Sequence, residues 1–155
     1  MKKIVLLLFI LPAVLMLNSC NKTHNEPDPA GTVQVQMLNY AHGNTYLDIR
    51  DGEGFVTLNI GTNNKFNVVG YSDYGNFGSN LLCDLGGNVG GLGNIKSIPA
   101  TGWTNVVEVV PGNGYAIRFT SDKGVVYARL FVTGWMTSSL GTVGAYVKYQ
   151  VPFVP

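Results

Sequence analysis

Few side chains in this sequence can carry acid, base or nucleophile chemistry. Of two histidines in 155 residues, His24 lies in a proline-containing polar stretch. That leaves His42 as the imidazole to pair with a serine and Asp48. Such a triad needs a strained Gly-x-Ser-x-Gly elbow to expose its serine, and no serine is flanked that way. A small hydrolase centred on His42 is therefore the weakest reading, and the chain is read as a non-enzyme. Cys83, in Leu81-Leu82-Cys83-Asp84-Leu85, has no adjacent basic residue to depress its pKa and reads as a small buried hydrophobe. Asp48, Asp51 and Glu53 suggest a calcium loop, but their spacing is not that of an EF-hand, and Asp51-Gly52 is already explained by a hairpin turn. No Cys or His pair has zinc spacing. The run Gly86-Gly87-Asn88-Val89-Gly90-Gly91-Leu92-Gly93 lacks the Gly-Lys-Ser/Thr ending of a phosphate loop. It reads as bulges and close backbone approaches, and no cofactor or metal is expected.

Aromatic residues remain. Tyr71, Asp73, Tyr74, Asn76 and Phe77 share one irregular stretch, and Trp103 follows a second. Binding a sugar on a β-scaffold takes a flat ring to stack on the pyranose C–H face, with Asn or Asp nearby for the hydroxyls, and these residues supply both. Against this stands the reading that the rings are core side chains, which holds more strongly for Trp135, placed inside a strand.

One cysteine has a different chemistry. Lys2 and Lys3 precede an apolar run, Ile4 to Leu17, that ends in Leu17-Asn18-Ser19-Cys20, the layout of a secretory signal. This ending resembles a lipobox, which implies cleavage before Cys20 and diacylglycerol on its sulfur. The run is too short for a transmembrane helix and is broken by Pro12. Residues 1–19 are thus expected as a lipoprotein signal peptide, and residues 20–31 as the lipidated cysteine and a flexible tether, with Cys20 the membrane anchor. Acidic Glu26 and Asp28 stand some way behind the cysteine, which leaves open whether the domain faces periplasm or medium.

Residues 32–155 then form one domain, since the length suits a single core. Ten basic against nine acidic residues leave no basic patch for nucleic acid. With Cys20 acylated, Cys83 is the one thiol, so no intramolecular disulfide forms. Abundant Gly with frequent Tyr, Phe and Val favours sheet and turns. Alternation predicts strands over Thr32–Tyr40, Tyr46–Arg50, Phe55–Ile60 and Lys65–Tyr71, with short ones near Leu81 and Ile95. Four more, Thr104–Val110, Tyr115–Thr120, Val125–Met136 and Val143–Val151, are expected as an antiparallel meander. No segment has helical periodicity. The fold class is all-β, an antiparallel sandwich or barrel with hairpin and meander connections.

Gly90-Gly91-Leu92-Gly93-Asn94-Ile95, Ile98-Pro99, Gly102-Trp103, Pro111-Gly112-Asn113-Gly114-Tyr115, Tyr127-Ala128-Arg129-Leu130 and the ending Gly144 to Phe153 together resemble a domain of unknown function in small lipoproteins of Bacteroides and related Bacteroidota. The resemblance implies a cell-envelope setting and carries no activity. The expected protein is an outer membrane lipoprotein, held through Cys20, that binds a glycan or other envelope ligand. The alternative is an accessory subunit docking on another envelope protein through a sheet face or edge, with Tyr146, Lys148 and Gln150 on the last strand as its contacts.

Overall fold

The computed structural model describes residues 25–72, 77–87 and 89–155. The expected signal peptide and Cys20 lie outside the described residues. The strands are β1 (Val33–Leu38), β2 (Leu47–Asp51), β3 (Gly54–Ile60), β4 (Lys65–Tyr71), β5 (Leu82–Asp84), β6 (Val106–Glu108), β7 (Gly114–Ser121), β8 (Gly124–Ser138) and β9 (Gly141–Gln150). They build two antiparallel sheets, one ordered β1-β9-β8-β7-β5 and the other β2-β3-β4-β6. Each sheet keeps its own edges, so the all-β fold is a sandwich and not a closed barrel.

Period-two alternation decides which side chains meet between the sheets. Leu47 and Ile49 of β2 and Val56, Leu58 and Ile60 of β3 all turn inward, against Met37, Ile117, Phe119, Leu130 and Val147 of the larger sheet. The ring of Phe66 meets Tyr115 edge to face at 5.4 Å. Tyr115 is fully buried, and its hydroxyl donates to the Glu108 carbonyl at 2.8 Å while accepting from the Val110 N–H at 2.9 Å. That clamp fastens the corner where the chain leaves β6 for β7 in the opposite sheet.

Two expectations about the second half are corrected. The meander has three strands, β7-β8-β9, because β6 pairs with β4 across the sandwich. Near Ile95 the chain forms not a strand but a short 3-10 turn, Leu92–Asn94. The physical reason is a second apolar layer: residues 85–87 and 89–98 fold over the outer face of the larger sheet, where Leu92, Ile95 and Phe153 pack with Leu85, Val89, Ile98, Tyr127 and Phe131. β8 is consequently covered on both faces, with Val126, Ala128, Leu130 and Val132 in the main core and Tyr127 and Phe131 in the outer layer. Arg129 spans this layer, donating from Nη1 to the Ile95 carbonyl at 2.6 Å and from Nε to Gln150 Oε1 at 2.8 Å, with its guanidinium 4.5 Å from the Phe153 ring centre.

The segment expected as a flexible tether makes specific contacts from Glu26 onward. The Glu26 N–H donates to Asn94 Oδ1 at 2.9 Å, Asp28 pairs with Lys148 at 2.5 Å, and Gln150 Nε2 donates to the Ala30 carbonyl at 2.9 Å. Gly93 permits the approach, since a Cβ there would lie 2.3 Å from the Pro27 carbonyl oxygen.

Candidate ligand-binding surface

Phe77 and Trp103, expected together on one surface, do come together, through a residue that sequence reasoning missed. Arg118 of β7 holds its guanidinium 4.2 Å from the Phe77 ring centre and 4.2 Å from that of Trp103. Phe77 arrives on the connection between β4 and β5, and Trp103 on the one between β5 and β6. Arg118 is placed by its strand: its backbone N–H donates to the Leu81 carbonyl at 2.9 Å, and its Nε to the Asn80 carbonyl at 3.1 Å. Trp103 is fixed by its indole N–H, which donates to the Pro99 carbonyl at 3.2 Å. All three side chains are half-buried.

Cation–π attraction strengthens as water is excluded, and burial does lower the Arg118 pKa, the largest influence on it. One face of each ring is occupied by the guanidinium. Phe77 also packs against the main core, so a planar ligand group can stack only on what the guanidinium and the core leave open of the two rings. Tyr71 ends β4 and is 36% exposed, and among the described residues it has no ring contact with the clamp. Asp73, Tyr74 and Asn76 lie outside the described residues. Trp135 packs against the main core, as its strand position implied.

The other candidates are placed as follows. His42 closes a 3-10 turn, Tyr40–His42, and its Nδ1 lies 2.7 Å from Asn39 Oδ1. Asp48 accepts from Thr57 Oγ1 at 2.6 Å and pairs with Arg50 at 3.2 Å, and the Thr57 hydrogen bond is the main cause that lowers its pKa. His42 and Asp48 are thus engaged by different partners. Cys83 is buried, its Sγ directed to the Thr101 carbonyl at 3.5 Å. Burial pushes its thiol pKa up, Asp84 adds to the rise, and Arg118 opposes it. Among the described residues no group of three His, Cys, Asp or Glu side chains is arranged to hold a metal ion, and no helix is long and apolar enough to cross a membrane.

Lys148 and Gln150 are held by the chain's own segment 28–30, and β9 lies inside its sheet between β1 and β8. Of the three residues expected as docking contacts, Tyr146 alone is exposed. Sequence reasoning also missed an open cleft of about 260 Å³ lined by Leu85, Val89, Asn94, Ile95, Lys96 and Ser97. Its walls come mainly from the residues flanking the glycine-rich stretch, whose path depends on the sheet beneath it. No family model, curated protein or solved structure matches the chain, so the surface is read from its chemistry alone.

Proposed function

We propose that the chain is a cell-envelope lipoprotein, anchored through Cys20 in the outer membrane, whose sandwich is a non-enzymatic binding module for glycans. The observation that carries this reading is the Phe77–Arg118–Trp103 clamp. Two half-exposed aromatic rings from separate connections are immobilised on one guanidinium, so the ordering of the rings precedes any ligand. Preorganised rings lower the entropic penalty of stacking a sugar, and the exposed parts of Phe77 and Trp103 are the surface offered, with Tyr71, Asp73, Tyr74 and Asn76 as its further candidates from the sequence. The lipobox-like ending at Cys20 supports the anchor and the setting.

A binding screen of the full-length chain in detergent against a broad glycan panel tests the reading. Trp103→Ala is expected to weaken binding about tenfold, since losing one stacked ring, about 1.5 kcal/mol, corresponds to that factor. The reading fails if no glycan binds, or if Trp103→Ala binds as the parent does.

A further inference from the structure

The outer edge of β1 carries an unclosed row of backbone groups whose geometry is self-complementary. In an antiparallel ladder, residues of one parity bond the partner strand and those of the other turn their N–H and C=O away. The Asn39 N–H donates to the Val143 carbonyl at 2.8 Å, so Asn39, Met37, Val35 and Val33 are the positions bonded to β9. Leu38, Gln36 and Gln34 face outward. Leu38 is sealed by Thr45, whose Oγ1 accepts from the Leu38 N–H at 3.1 Å and whose own N–H donates to the Leu38 carbonyl at 3.1 Å. At the other end, Thr32 turns both its N–H and its Oγ1 to the Pro29 carbonyl. Between these seals Gln34 and Gln36 are exposed, and their backbone groups have no further partner among the described residues.

Edges of this kind are normally guarded by charges, prolines or bulges. Val33-Gln34-Val35-Gln36-Met37 contains no charge and no proline, and its pairing with β9 has no register shift. The segment also reads nearly the same in both directions about Val35. We propose that this edge pairs with the β1 edge of a second copy of the chain, antiparallel about a two-fold axis through Val35, giving one continuous sheet across two protomers. In that register Gln34 of each copy exchanges two hydrogen bonds with Gln36 of the other, Val33 stands opposite Met37, and Val35 opposes Val35. An uncharged pairing sets no like charges against each other, which is why a second copy fits where a charged partner strand gains nothing. The inference does not depend on glycan binding.

Val35 opposing Val35 is a non-hydrogen-bonded pair, with Cα atoms about 4.5 Å apart, inside the range a disulfide spans. Val33 would be about 14 Å from its own copy in the same register. The test is mild oxidation of full-length Val35→Cys and Val33→Cys chains in detergent, with the unsubstituted chain as control. Val35→Cys is expected to form covalent dimer severalfold above both the control and Val33→Cys. Adding Gln36→Pro, which removes an outward N–H and no bond to β9, abolishes that dimer without unfolding the sandwich. Sedimentation of the parent chain is expected to show a concentration-dependent dimer that Gln36→Pro removes. Equal cross-linking at 33 and 35, no cross-linking at 35, or a parent chain monomeric at all concentrations overturns the proposal.

Discussion

Replacing Arg118 with methionine keeps most of the side-chain volume and removes the charge between two rings. Each ring centre lies 4.2 Å from the guanidinium, and a half-desolvated cation–π contact is worth about 1 kcal/mol. The lost Nε donation to the Asn80 carbonyl removes about 1 kcal/mol more. Against this, the guanidinium no longer has to be partly desolvated, which offsets part of the sum. The net expected loss is about 2 kcal/mol, or a midpoint lower by about 4–8 °C for a chain of this size. Urea denaturation at unchanged slope reads the loss, and a double-mutant cycle with Trp103→Leu isolates the ring contribution, expected at about 1 kcal/mol. In a Trp135→Phe background, the emission of Trp103 should shift to the red as its covering cation leaves. Arg118→Lys should recover only part, because an ammonium is a point charge that cannot lie flat between two rings. A coupling energy within about 0.3 kcal/mol of zero, the ordinary scatter of independent sites, together with unchanged emission, would refute the clamp as a device that orders the surface.

Other outcomes are expected from the packing and the titrating groups. Gly144→Ala places a Cβ 2.0 Å from the Met37 carbonyl oxygen, so β1 must move away from β9 at a cost of about 3 kcal/mol or more. Gly134→Ala in β8 meets nothing within 4 Å and should be neutral or stabilising by up to about 1 kcal/mol, a contrast that thermal melts of the two variants check directly. The folded pKa values of Cys83 and Tyr115 both lie above their ordinary 9.0 and 10.0, in each case chiefly through burial. Their contribution to stability is therefore complete below those values and is lost as pH rises above them. Urea midpoints should fall from pH 9 upward, and Cys83→Ala should remove the earlier part of the fall. Asp28→Asn breaks the partly exposed pair with Lys148 and should lower global stability by less than about 1 kcal/mol. Limited proteolysis should nonetheless cleave somewhat faster near residues 26–30, because the segment then rests on the remaining Asn94 and Gln150 contacts.

Most strands were legible because their information is local. Leu47 and Ile49, then Val56, Leu58 and Ile60, announce one buried face by alternation alone, and Gly52 at the hairpin has the positive φ that such a turn demands. The near-continuous apolar run of β8 was a sign that both its faces would be covered. Its cover could not be named, because Leu92 and Ile95 sit among glycines whose conformations are set by the sheet they lie on. The destination of β6 was hidden for the same reason: three residues pair with β4, and nothing in Val106-Val107-Glu108 distinguishes one sheet from the other.

The site divides along the same line. By itself the sequence determined the residue types, rings beside small polar groups in two irregular stretches, and the alternation that sends Arg118 to the face opposite Ile117 and Phe119. Only the tertiary structure decided that Phe77, Trp103 and Arg118 meet. Stacking of a cation on two rings leaves no periodic trace in a chain, because its partners are brought together by the connections between sheets and not by any spacing along the sequence.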